Sequence, residues 1–225
     1  SYGKYWDKWI IDSEEIVRST NALSESEMLD LRIIHYFIWL FWNIGVLQPL
    51  LVFGRVSGVN PIDMLAELAH NKNDISYEFG EIISNYLEDA NREWFDTKED
   101  LIAYYQENTD SIEDALDSSN NLNFIYTPKI FLDKKIFKSV LDFCSRYIEE
   151  SSSNKSSVHD LQGVKKYTYD RALLDFKSLK EKKEIHMSVS TYEFLREENL
   201  LKEGIPYSNS HNGDVVFSVE LKEYE

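Results

Sequence analysis

Hydrophobic and polar positions recur at helical spacing along most of the first 150 residues, and one stretch departs from that pattern by being apolar on nearly every face. It runs from Ser24 to Gly45, SESEMLDLRIIHYFIWLFWNIG. Ser24 followed three residues later by Glu27 fits a capping box, in which hydroxyl and carboxylate each satisfy an orphan backbone donor. Glu25, Glu27 and Asp30 lie in the first turns, where the helix dipole favours anions. Gly45 stands where a left-handed C-terminal cap is needed. From Ile33 to Trp42 almost everything is apolar, and a helix hydrophobic all round is buried on every side or lies in lipid.

The 21 residues from Ile33 to Phe53 contain no Lys, Arg, Asp or Glu, which is long enough to span a bilayer. Against that, His35, Asn43 and Gln48 interrupt the run, Gly45 and Pro49 predict a break into two helices, and no Lys/Arg cluster flanks either end. A central core helix over about 24–44 is therefore expected, and no membrane span.

The rest of the chain predicts more helices. Asp12 or Ser13 is expected to cap a short helix to about Thr20, and Val46 to Val56 a second apolar helix with Pro49 in its first turn. Asn60-Pro61 opens Ile62 to His70, Asn71 to Asp74 reads as a turn, and Phe79, Ile82, Ile83, Tyr86, Leu87 and Ala90 mark an amphipathic helix between Ile75 and Trp94. Thr97 with Asp100 is a box-like start. Asn120 to Asn123 reads as a polar loop and Phe124 to Phe131 as extended around Pro128. Leu132 to Glu150 is amphipathic through Ile136, Phe137, Val140, Leu141, Cys144 and Ile148. Ser151 to Ser157 is the clearest linker. Beyond it, Tyr192 to Leu201 predicts a helix and Val215 to Leu221 a strand. The expected class is mainly α: a helical domain over 1–150 around the central helix, a linker at 151–157, and a smaller α+β segment over 158–225.

Composition narrows the function classes. Hydrophobic content of 43% with 14% aromatics supports a substantial core. A net charge of −16 disfavours nucleic-acid binding, because phosphate backbones reward Lys and Arg. The single cysteine, Cys144, excludes an internal disulfide and fits a cytoplasmic, reducing setting. Residues 88–117 carry eleven acids against Arg92 and Lys98, which is expected to be a solvated helix face rather than a cation site. The aromatic start, with Tyr5, Trp6 and Trp9, is expected to pack on its own domain or on one upstream. The first residue, Ser1, reads as the start of a piece cut from something longer.

Chemistry is sparse. His35, His70, His159, His186 and His211 form no His-x-x-x-His and lie apart from Cys144, so no zinc spacing exists. His35 is expected to be a satisfied core histidine and Cys144 an inert core thiol. There is no Gly-x-Ser-x-Gly, Walker loop or Gly-x-Gly-x-x-Gly. No catalytic, cofactor-binding or metal-binding residue is nominated.

One resemblance adds to this. Ser19-Thr20-Asn21, then Leu23-Ser24-Glu25-Ser26-Glu27-Met28-Leu29, the aromatic helix, and Asn43-Ile44-Gly45 together resemble the region downstream of the barrel in radical S-adenosylmethionine enzymes that carry a cobalamin-binding domain. The match covers Asp12 to Phe53, about a fifth of the chain. It implies a non-catalytic C-terminal domain that caps the barrel or shapes the substrate site, with the upstream catalytic domain as its partner. The [4Fe–4S] cluster, S-adenosylmethionine and cobalamin would belong to that parent: the Cys-x-x-x-Cys-x-x-Cys loop that holds such a cluster and the Asp-x-His-x-x-Gly loop that receives cobalamin are absent here. The alternative is a free-standing acidic helical interaction module. A third reading is a hydrolase or lyase using carboxylates that no motif singles out.

Overall fold

A computed structural model describes residues 2–6, 8–11, 15–108, 121–152, 158–175, 183–201, 207–209 and 214–219. Among them the chain is mainly helical. The helices are α1 (Glu25–Phe37), α2 (Gln48–Val56), α3 (Pro61–His70), α4 (Lys72–Ile75), α5 (Tyr77–Arg92), α6 (Lys98–Glu107), α7 (Leu122–Phe131), α8 (Lys134–Ser151), α9 (Val158–Asp175) and α10 (Val189–Glu197). Strands β1 (Tyr2–Tyr5) and β2 (Lys8–Ile11) form an antiparallel hairpin. Strands β3 (Lys183–Ser188), β4 (Tyr207–Asn209) and β5 (Asp214–Val219) form an antiparallel sheet in the order β3-β5-β4, with His186 and Ser208 both opposite Val216.

The central element begins as its capping box demands. Ser24 Oγ accepts from the Glu27 N–H at 3.3 Å, and Glu27 Oε2 accepts from the Ser24 N–H at 2.7 Å. Beyond Phe37 the helix continues as a wider π-helical stretch over Ile38–Asn43, closed by Ile44 N–H donating to Trp39 O at 2.9 Å. Gly45 then turns the chain at φ +88°, a value that favours glycine, and α2 leaves at 96° to the first helix. No single helix among the described residues is long and apolar enough to cross a membrane.

This bent pair is the centre of the core. Ile33, Tyr36, Phe37, Leu40 and Phe41 from the first limb and Leu47, Leu50 and Leu51 from the second are buried in one cluster with residues of α3, α5, α7, α8 and α9. The first limb is not covered all round, though. Leu31 is 48% exposed and His35 lies on the outer surface, one turn apart on the same face. The expected core histidine is therefore a surface residue, because the helix leaves one stripe uncovered.

Polar caps start most helices, those of α3 and α6 at the predicted Asn60 and Thr97. The side chains of Asn60, Ser76, Thr97 and Asp133 accept from backbone donors in the first turns of α3, α5, α6 and α8. Three expectations are corrected. Residues 15–20 are not helical; Thr20 Oγ1 instead accepts from the N–H groups of Ala22 and Leu23, forming a turn ahead of α1. Asn71–Asp74 is not a plain turn, since α4 occupies most of it. Phe124–Phe131 is not extended but helical, with Asn121 as the cap and Pro128 inside the helix. Pro128 lies on the exposed side, where a carbonyl deprived of its N–H partner can turn to water.

The chain beyond the serine-rich run joins the same core. Leu161, Val164 and Ala172 of α9 belong to the central cluster, and α9 packs on α2 and α8. A second cluster, Val52, Tyr167, Met187, Leu195 and Leu200, ties α2 to α9, β3 and α10. Residues 153–157 of the expected linker lie outside the described residues, as does the expected cap at Asp12 or Ser13.

The α9–α10 approach depends on Gly163, where a Cβ would stand 2.2 Å from Thr191 Oγ1. Gly163→Ala is therefore expected to destabilise the protein by about 1–3 kcal/mol through overpacking. Adding Thr191→Ala should recover part of the loss in denaturant unfolding. Equal stability of the wild-type and Gly163→Ala proteins would disprove the close approach.

Candidate functional site

The densest set of polar and aromatic side chains lies where α1, its π-helical continuation, α5 and α7 meet. Tyr36 comes from the buried face of α1, Tyr86 from the apolar face of α5, and Tyr126 from the inner face of α7. All three rings are buried. Tyr36 and Tyr86 stack at 4.6 Å between centroids with 13° between planes, and Tyr126 meets Tyr86 edge-on at 5.4 Å. Trp39 stacks on Tyr36 at 6.3 Å, and Phe124 contacts Trp39 edge-on at 5.5 Å. Offset and edge-to-face contacts of this kind add to what area burial contributes.

Each buried hydroxyl has a partner, as burial requires. Tyr36 Oη lies 3.3 Å from Thr127 Oγ1, Tyr86 Oη donates to Asn123 Oδ1 at 3.1 Å, and Tyr126 Oη donates to Asp89 Oδ2 at 2.5 Å. Arg32 also reaches Tyr86, and the Lys129 ammonium sits 4.1 Å above the Tyr126 ring. Burial pushes the Tyr36 phenol well above its ordinary range, with Thr127 opposing slightly. At Tyr126 desolvation acts first, and the bond to Asp89 raises the phenol further because ionisation would set two anions together.

A second cluster fixes the N-terminal segment. Arg18 pairs with Glu25 and with Asp96, the latter at 2.7 Å, while Arg32 pairs with Glu93 and donates to Ala90 O at 3.1 Å. The two guanidinium groups lie 5.5 Å and 5.7 Å from the ring of Trp94. Cation–π contacts and ion pairs thus converge on one half-buried indole.

The residues weighed from sequence fall elsewhere. Cys144 is fully buried, and burial pushes its thiol up to about 12. His70 is exposed like His35, and the side chains of His159, His186 and His211 lie outside the described residues. Among the described residues no group of three His, Cys, Asp or Glu could hold a metal ion. Glu88, Glu93, Asp96, Glu99, Asp100 and Glu107 are exposed, as a solvated face requires, and residues 109–117 of that acidic run lie outside the described residues. Tyr36 and Tyr86 enter the sequence reading only as apolar positions, and Tyr126 is not singled out. The available signal is a tyrosine on a predicted core face, whose hydroxyl must find a partner. Compared with known protein families, curated proteins and solved structures, the chain matches none of them.

Two predictions follow from these environments. The folded-state phenols of Tyr36 and Tyr126 lie above their ordinary value of 10.0, so the stability they contribute is complete below that pH. It declines as pH rises above 10.0 towards their folded values. Alkaline unfolding monitored by tyrosinate absorbance should release both phenols with the transition, and Tyr36→Phe with Tyr126→Phe should flatten that decline. Cys144 should resist a thiol reagent in the native protein and react on unfolding; fast native labelling would contradict its burial.

Proposed function

We propose that this chain acts as a non-catalytic accessory domain that seats against the catalytic barrel of a radical S-adenosylmethionine enzyme with a cobalamin-binding domain. The observation that carries the reading is the apolar character of the N-terminal surface. Trp6 is 96% exposed at the hairpin turn, with left-handed backbone at φ 50°, and Ile16 and Val17 are 54% and 66% exposed. Exposed large apolar side chains this frequent in one short N-terminal stretch are the kind that find a cover in the working state. The side chains of Tyr5 and Trp9, expected to share that face, lie outside the described residues.

The phrase that carries the resemblance has a defined local form, which supports the same reading. Non-helical chain over 15–20 enters the Thr20 turn, the Ser24–Glu27 capping box follows, and the aromatic helix ends at the left-handed Gly45. Cluster, S-adenosylmethionine and cobalamin would all be held by the parent, and the work of this part is to cover and shape. The free-standing acidic module is less favoured: Arg18, Arg32 and Arg92 already engage Glu25, Asp96, Glu93, Glu88 and Asp89.

The reading frame upstream of Ser1 tests this directly. It should continue through a Cys-x-x-x-Cys-x-x-Cys loop, and a start codon within a few residues of Ser1 would overturn the reading. In the isolated chain, Ile16→Ser with Val17→Ser should reduce self-association measured by sedimentation while leaving the circular dichroism unchanged.

A further inference from the structure

The tyrosine cluster is more than a packed core, because its rings form a continuous line with a base at one end. Trp39, half-buried beside the 54%-exposed Phe124, stands at the outer end. From it the rings run through Tyr36 at 6.3 Å and Tyr86 at 4.6 Å to Tyr126 at 5.4 Å. Indole and phenol are the side chains most readily oxidised by one electron after the thiol, and the only cysteine, Cys144, is held as a buried thiol on α8. Stacked π-systems near contact carry an electron far better than a path through saturated side chains.

The three phenols differ in what accepts their proton. Tyr36 faces the Thr127 hydroxyl and Tyr86 faces the amide oxygen of Asn123, both very weak bases. Tyr126 alone donates to a carboxylate, Asp89 Oδ2, at 2.5 Å. An oxidised phenol is a strong acid, so a buried phenol without a base cannot keep the vacancy cheaply. Positive charge sharpens the distinction. Arg32 at Tyr86 penalises a cationic ring there, and Lys129 above Tyr126 does the same unless proton loss accompanies oxidation.

We propose that Trp39, Tyr36, Tyr86 and Tyr126 form a relay for a single oxidising equivalent, which enters from a high-potential outer-sphere metal complex of the ruthenium(III) type at the Trp39 surface and comes to rest on Tyr126 as its proton passes to Asp89. The oxidant gains one electron from the Trp39 indole and is reduced. One electron then moves from Tyr126 to Trp39 through the rings of Tyr86 and Tyr36. The Tyr126 O–H bond breaks, its proton bonds to Asp89 Oδ2, and the products are a neutral tyrosyl radical, a protonated carboxyl and a restored indole. Tyr36 and Tyr86 are the bridge, Tyr126 is the terminus and Asp89 is the proton acceptor. The relay depends on the ring positions and on the Tyr126–Asp89 hydrogen bond, and stands whether or not the chain serves as an accessory domain.

Flash photolysis of a ruthenium(II) tris-bipyridine complex with a sacrificial electron acceptor, applied to the full chain, generates the oxidant. The wild type should show a tryptophanyl signal that decays as a neutral tyrosyl signal grows, followed by transient absorption and freeze-quench electron paramagnetic resonance. Tyr126→Phe keeps the ring and should lose most of the tyrosyl yield while prolonging the tryptophanyl signal. Asp89→Asn keeps a hydrogen-bond acceptor without the base and should slow the conversion, and Trp39→Phe should suppress entry. A tyrosyl yield and a tryptophanyl lifetime unchanged by Tyr126→Phe and by Asp89→Asn would overturn the relay and assign the radical to surface tyrosines such as Tyr77 and Tyr104. Circular dichroism establishes folding for each variant, and Asp89→Asn carries the test if Tyr126→Phe fails to fold.

Discussion

The constraint on which this structure depends is the burial of a helix that is apolar over most of its circumference. Such a helix needs cover on most of its faces, so neighbours approach it from several directions and leave the stripe through Leu31 and His35 in water. The 96° bend after Asn43 makes this achievable in a small protein. Two short apolar limbs at a steep angle present more directions for packing than one straight rod of the same length. Thus α3 and α5 approach the first limb, α8 and α9 approach the second, and α3 touches both. Gly45 is the hinge of that arrangement, and its left-handed backbone excludes most side chains. Space is tight there as well, with the Arg171 guanidinium 3.1 Å from where a Cβ would stand.

Filling the bend with aromatic rather than aliphatic residues has a polar consequence. Tyrosine brings a hydroxyl wherever it brings a ring, and an unpartnered hydroxyl in the core costs about 1–3 kcal/mol. One helix supplies a member of every pair. Asn123, Tyr126 and Thr127 lie on adjacent turns of α7, and they meet Tyr86, Asp89 and Tyr36 respectively. This explains why α7 is helical despite Pro128. As an extended strand the segment would point alternate side chains to opposite sides, and these three could not face α1 and α5 together. Tertiary hydrogen bonding and burial thereby outweigh a local signal that favours extended chain before proline.

What was legible in the sequence was whatever local chemistry dictates. The Ser24–Glu27 box, the caps at Asn60 and Thr97 and the glycine at 45 each act within one turn of their own position, and the structure places each of them at that helix end. The mainly helical class followed from the same periodicity. The π-helical stretch, the helical Pro128 and the exposed stripe through Leu31 and His35 were not legible, because each depends on which neighbour arrives at a given face. The tyrosine line was invisible for the same reason. Its members are separated by up to ninety residues in sequence, and they become neighbours only when α7 docks.

The N-terminal segment is held in a different manner from the core, and the difference bears on its role. Exposed ion pairs contribute little, being screened by water, so the bonds from Arg18 to Glu25 and Asp96 cannot by themselves anchor residues 15–23 firmly. Stacking on Trp94 adds a term that water competes with less, and Arg32 on the same indole fixes the ring in place. Register is thus set by a polar and aromatic clamp at one residue, while the adjacent Ile16 and Val17 contribute little burial. A segment that belonged to this core would bury those two side chains first. On the proposed accessory role, these two side chains would stay outward for a neighbouring body, and the clamp would orient the chain toward it.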